Sequence, residues 1–164
     1  MRILAISGSL QACSSNLALL QTAAASAPPG VEVVIFDGLR ALPHFNPDLE
    51  VTEPPPAVKV WRQALAESDA LLIASPEYGY SLPGALKNGI DWVIGSAELD
   101  RKIVAITACV SHSERGRRGL KALRDPLQAA NAIIVGDEPI VRGPAFENEV
   151  AALLQVLVLA LQSG

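Results

Sequence analysis

Aromatic residues are scarce in this chain of 164: Phe, Tyr and Trp make up only 4%, although half of the sequence is hydrophobic. A core built from it therefore rests on Ala, Val, Leu and Ile. Cysteine is nearly absent. Cys13 and Cys109 stand far apart and form neither a CxxC pair nor a disulfide framework, a usage that suits a reducing cytoplasm. A basic excess is missing too. The net charge is -4 and the pI is near 5.1, which excludes sequence-independent nucleic-acid binding, where basic surface dominates affinity. The same charge is too weakly acidic for a dedicated electron shuttle that docks on basic partners. Long hydrophobic runs are also lacking. The longest, Val150 to Leu161, is interrupted by Gln155 and falls short of the ~20 residues a membrane span needs, so it reads as a buried or interface helix. At the start, Met1-Arg2 precedes a short apolar run that stops at Ser7-Gly8, with no cleavage site behind it, so no targeting signal is expected. The composition predicts a soluble, cytoplasmic protein with no nucleic-acid, membrane or metal partner.

What is present is an alternation. Ile3–Ile6, Val31–Phe36, Ala70–Ala74, Ile103–Thr107 and Ala132–Val135 are short and aliphatic, as strands buried on both faces must be. Between them lie helical patterns at Ser15–Ala27, Ala57–Glu67, Gly84–Ile94, Gly116–Ala130 and Phe146–Gln162. Strand–helix alternation predicts right-handed βαβ units in one α/β domain over residues 1–164, a three-layer sandwich with helices on both faces. Five strands suit the flavodoxin-like order 2-1-3-4-5 of a parallel sheet better than a six-stranded dinucleotide fold. The Pro-rich stretch Leu42 to Pro56 is expected as a surface loop.

The first strand runs into Ser7-Gly8-Ser9-Leu10-Gln11-Ala12-Cys13-Ser14-Ser15-Asn16, where a helix begins. Small and hydroxyl-bearing residues before a helix N-terminus suit a phosphate monoester, because unpaired amides and the helix dipole both favour an anion. No Lys stands in the loop, and both GxxxxGK[ST] and G-x-G-x-x-G are absent, which disfavours a triphosphate and a pyrophosphate turn. Alone, the loop is equally explained by Ser14 or Ser15 capping the helix.

After the third strand comes Ser75-Pro76-Glu77-Tyr78-Gly79-Tyr80-Ser81-Leu82-Pro83-Gly84-Ala85-Leu86-Lys87-Asn88-Gly89-Ile90-Asp91-Trp92. In the flavodoxin order this loop and the first one leave the same sheet edge at the switch point, where ligands of open α/β sheets bind. Two tyrosines, two stiffening prolines and a glycine point to a planar aromatic group beside the phosphate.

Gly8-Ser9-Leu10 with Ser14 and Asn16, and Pro76-Glu77-Tyr78 with Ser81-x-Pro83-Gly84-x-Leu86-Lys87-Asn88-x-Ile90-Asp91-Trp92, together resemble the NADPH-dependent FMN reductase family. Leu42-Pro43-x-Phe45-Asn46-Pro47-Asp48-Leu49-Glu50 resembles its usual loop. The resemblance implies bound FMN, NADPH or NADH as electron donor, and small acceptors such as quinones, free flavin, azo compounds or chromate-like oxidants. It implies that the flavin carries the chemistry, so that no side chain is named catalytic. It assigns Ser9, Ser14, Ser15 and Asn16 to the FMN phosphate, and Pro76, Glu77, Tyr78 and Gly79 to the isoalloxazine, with Tyr80 beside them. Gln11 stands where the family usually has Arg, so a charge-assisted contact near the phosphate is missing. Gly79 replaces the usual Asn. The third loop lacks the family's Gly-rich run and reads Ser111-His112-Ser113-Glu114-Arg115-Gly116-Arg117-Arg118.

Those arginines oppose the dipole of any helix that starts near Gly116. Arg115, Arg117 and Arg118 are therefore candidates for an anion, the coenzyme phosphates first, against the plainer alternative of a solvated face. A homodimer or homotetramer is expected from an exposed Trp92 and the apolar final helix, as from the resemblance. Two rivals stay open: a flavodoxin-type FMN electron carrier, and a flavin-free member that uses the fold for binding or regulation.

Overall fold

The computed structural model describes residues 1–163. Five of the aliphatic runs lie side by side as β1 (Arg2–Ser7), β2 (Glu32–Phe36), β3 (Ala70–Ala74), β4 (Ile103–Thr107) and β6 (Ile133–Gly136). All pairings are parallel, in the order β2-β1-β3-β4-β6. Two further strands of two residues each, β5 (Cys109–Val110) and β7 (Ile140–Val141), pair in a small sheet of their own. Counting the main sheet alone, the order is the flavodoxin-like 2-1-3-4-5 that the alternation predicts.

Each central strand divides its side chains between two cores with period two. Leu4, Ile6, Leu71, Ile73, Val104 and Ile106 meet Trp61, Leu65, Leu86, Ile90, Leu120 and Leu123. Those residues come from α3 (Pro56–Ala66), α4 (Gly84–Asp91) and α5 (Arg117–Ala129). On the other face Ile3, Ala5, Leu72 and Ala105 meet Leu19, Leu20, Leu154 and Leu157 of α1 (Ser15–Ala25) and α6 (Phe146–Ser163). Burying each Leu or Ile contributes about 1.5–3 kcal/mol, so three helix-backed layers follow from the strand pattern itself.

The register brings the carboxyl ends of β1, β3 and β4 level, with Ser7 beside Ala74 and Ala74 beside Thr107. The next residues stay linked: Gly8 N–H donates to Ala74 O and Ser75 N–H to Thr107 O. A Cβ on Gly8 would lie 2.9 Å from Ser75 Oγ, so glycine lets the first two loops lie against each other. Both loops therefore open at one edge.

Three expectations change. The stretch Leu42 to Pro56 holds a short helix, α2 (Pro47–Thr52), with Asn46 Oδ1 accepting the Asp48 N–H at 3.0 Å and Pro47 in the first turn. The strands β5 and β7 are too short to show any periodicity. Trp92 is fully buried, not exposed: its Nε1–H donates to Pro43 O at 2.8 Å, and its ring meets Phe45 edge-on at 5.1 Å. Asn88 fastens the same segment, donating to Pro43 O at 2.9 Å and accepting the Phe45 N–H at 2.8 Å. Trp92 is thus core, and one ground for expecting self-association falls away. On α6, Val156 and Leu159 do face solvent. No described helix is long and apolar enough to cross a membrane.

Candidate functional site

At the carboxyl edge of β3 and β4 lies a cleft of about 530 Å³, within the ~300–1,000 Å³ usual for small-molecule sites. Pro76, Glu77 and Tyr80 line one wall. Ala108–Ser111, Glu114, Arg115, Gly116, Arg118 and Arg142 line the rest.

The first wall is a tight turn. Tyr78 and Ser81 exchange both backbone hydrogen bonds at 3.0 Å around Gly79 and Tyr80, whose φ values are +57° and +62°. Two consecutive left-handed residues make a type I′ turn. Glycine adopts that conformation freely, whereas Tyr80 carries a Cβ and loses about 1–2 kcal/mol there. The Arg118 guanidinium, 4.2 Å from the Tyr80 ring centre, offsets part of that cost. Both tyrosines stand more than half exposed, Tyr78 at 56% and Tyr80 at 68%.

The opposite wall is the start of α5. Its cap, Gly116, has φ +85° and offers no side chain, and no acid stands in its first turn. The missing acid comes from the second loop: Glu77 Oε2 accepts the Gly119 N–H at 2.9 Å. This changes the account of the basic group, because the cations that oppose the dipole are answered by Glu77. Arg117 also leaves the set. It pairs with Glu138 at 2.7 Å and donates to Ser113 O at 3.0 Å, whereas Arg115 and Arg118 line the cleft.

The first loop is held from within. Ser9 Oγ accepts the Gln11 N–H at 3.2 Å, and Ser14 caps α1 by accepting from the amides of Asn16 at 3.1 Å and Leu17 at 3.4 Å. Asn16 is buried, and its Oδ1 accepts the Cys109 N–H at 2.9 Å, joining α1 to β5. The amides of Ala12, Cys13 and Ser15 donate to no described residue. Ser15 borders a hollow of about 280 Å³ with Cys109 and Arg142, both of which also line the main cleft. Ser9 and Gln11 instead border a separate cleft of about 460 Å³ beside Asp37 and Arg40. Pro76, Glu77, Tyr80, Arg115 and Arg118 therefore line one cleft, Ser15 lines a neighbouring hollow that shares Cys109 and Arg142 with it, and Ser9, Gln11 and Arg117 lie outside both.

Charge pairing separates the arginines. Arg2, Arg40, Arg62, Arg117 and Arg124 each meet a carboxylate. Among the described residues, Arg115, Arg118 and Arg142 meet none, and all three line the same cleft. Arg101, likewise without one, stands before β4 at the other edge. Burial pushes the Cys109 thiol above its ordinary pKa, and the charge of Arg142 pulls it part of the way back. Sequence reasoning passes over Arg142, which follows a two-residue strand that no pattern marks.

Comparison with known proteins decides the kinship. The sequence profile for NADPH-dependent FMN reductase matches residues 1–145. The chain belongs to that family. The NAD(P)H-dependent FMN reductase of Pseudomonas aeruginosa is 45% identical over 91 residues, which is 56% of this chain and 49% of that relative's own length. A quinone reductase of Escherichia coli is 29% identical over 153 residues, covering 92% of this chain and 81% of its own. In fold, the flavoenzyme NAD(P)H:(acceptor) oxidoreductase FerB of Paracoccus denitrificans superposes with a TM-score of 0.86 at 22% identity, over 99% of this chain and 97% of that one.

Proposed function

We infer that this FMN reductase family member holds one FMN at the carboxyl edge and uses it to pass electrons from NAD(P)H to small acceptors, quinones and azo compounds among them. The observation that carries this is the convergence of carboxylate-free Arg115, Arg118 and Arg142 on a cleft whose other wall is the Tyr78–Tyr80 turn. Unpaired guanidinium groups beside exposed aromatic rings suit a ligand that is both planar and anionic.

The residues present fit such a group. Uncommitted amides of Ala12, Cys13 and Ser15 at the start of α1 suit a phosphate monoester, with the Ser15 hydroxyl beside them. Ser14 and Asn16 act one step back: their side chains shape the loop and tie it to β5. Ser9 does the same through the Gln11 amide. Pro76, Glu77, Tyr78, Gly79 and Tyr80 flank the ring, Glu77 by fastening its loop to α5. Bound there, FMN would supply the redox chemistry, hydride uptake from the coenzyme and electron return to the acceptor. The side chains orient both partners in turn, and none is asked to be a nucleophile. Arg115 and Arg118 receive the 2′-phosphate that NADPH carries and NADH lacks.

The two free thiols suit a cytoplasmic setting, and the exposed Val156 and Leu159 on α6 suit a homodimer or homotetramer. Titration of the flavin-free protein with FMN and with riboflavin tests the phosphate end. FMN should bind far more tightly, and equal dissociation constants would contradict the site.

A further inference from the structure

We propose that Arg142 is the cation that meets the FMN phosphate in this chain, taking the part that Gln11 cannot. The proposal rests on the inference that the cleft holds FMN, and it concerns which residue balances the charge.

Position is the first argument. Asn16 ties the first turn of α1 to the Cys109 N–H at 2.9 Å. Cys109 and Val110 form β5, which pairs in register with Ile140 and Val141 of β7. The very next residue is Arg142, whose own N–H donates to Val110 O at 2.9 Å. A continuous run of hydrogen bonds thus sets Arg142 beside the start of α1, where it borders both the hollow next to Ser15 and the main cleft.

Charge is the second. The guanidinium of Arg142 has no carboxylate partner among the described residues, although Glu138 and Asp137 stand a few residues away and are occupied by Arg117 and Arg124. No Lys or Arg stands from Ser7 to Asn16, and the guanidinium that reaches this loop, Arg40, is engaged by Leu10 O at 3.2 Å and by Asp37. The loop's uncommitted amides favour an anion but leave most of its charge unbalanced. A planar guanidinium at the rim of the hollow that Ser15 borders supplies paired bonds to phosphate oxygens. Gln11 has no part in that space, since it lines the separate cleft beside Arg40.

The test is fluorescence titration of flavin-free protein with FMN and with riboflavin, in wild type, Arg142→Ala, Arg142→Lys and the double variant Gln11→Arg with Arg142→Ala. Arg142→Ala should weaken FMN by about 10- to 100-fold, the range for hydrogen bonds to a charged group, and leave riboflavin unchanged. Arg142→Lys should lose less, because it keeps the charge without the fork. Gln11→Arg should not restore the loss, because residue 11 lines the separate cleft; full recovery of FMN affinity in the double variant would overturn the positional argument. Thermal melting without flavin should be nearly unaltered in Arg142→Ala, since the guanidinium makes no ion pair or side-chain hydrogen bond with any described residue. Equal losses for FMN and riboflavin, or unchanged FMN affinity, would overturn the proposal. A wild-type protein that binds neither flavin would overturn the FMN assignment itself.

Discussion

Glu77 and Gly119 hold the two walls of the cleft together: the carboxylate accepts the Gly119 N–H at 2.9 Å, and a Cβ at Gly119 would lie 3.0 Å from Glu77 Cβ. The contact needs an acid on one side and a bare backbone on the other. The Glu77 loop therefore reaches a helix end that lacks its own acid, and both walls become one unit.

Three substitutions follow from it. Glu77→Ala should lower stability by about 1–2 kcal/mol, as losing a helix cap does, and Glu77→Gln by less because it keeps an acceptor. Gly119→Ala should cost about 1–3 kcal/mol, since the backbone of Glu77 at 3.1 Å must shift. Urea melts of the variants check all three, and an unaffected Gly119→Ala would show that the walls are not in contact in solution.

The frame of the molecule was legible from the residues; the joinery was not. Aliphatic runs and helical periods place the five main strands and the helices between them within a few residues, because burial on both faces demands that pattern. Trp92 went wrong because a helix-end tryptophan carries no mark of which side it faces, and only the Pro43 carbonyl decides it. Glu77 was legible as a loop residue beside a ligand and illegible as the cap of a helix that starts forty residues later. Arg142 was missed because a strand of two residues has no period.

The turn at Gly79 offers a gain. Its φ of +57° suits Asn nearly as well as Gly, and a Cβ there meets nothing within 4 Å. Gly79→Asn should fold normally and bind FMN more tightly by about 1 kcal/mol, as one added hydrogen bond does. Flavin titration reads the change, and weaker binding would show that the bare glycine is needed for approach.

The arginines should divide by function. Arg115→Ala with Arg118→Ala should raise KM for NADPH while leaving that for NADH nearly unchanged, and should flatten the salt dependence of the NADPH reaction. Arg117→Ala, which loses the half-exposed pair with Glu138 and the bond to Ser113 O, should alter neither KM. Equal weakening of both coenzymes would move the contact to the pyrophosphate that they share.

The thiols give a readout that needs no turnover. The thiolate is the reactive form, and burial holds the Cys109 thiol above the usual range. At neutral pH, iodoacetamide should therefore modify exposed Cys13 well before Cys109. The Cys109 rate should keep climbing as pH rises past the ordinary thiol pKa. Arg142→Ala should slow Cys109 further by removing the charge that favours its thiolate. FMN should protect Cys109, which lines the cleft, and peptide mass mapping distinguishes the two sites.

The most direct measurement is an anaerobic titration of the FMN-loaded protein with NADPH and with NADH, followed by an oxidised quinone. The account predicts that the oxidised-flavin absorbance disappears with one equivalent of coenzyme and returns on adding the quinone. An absorbance that neither coenzyme bleaches, although dithionite does, would contradict it and leave a flavin-bound electron carrier in its place.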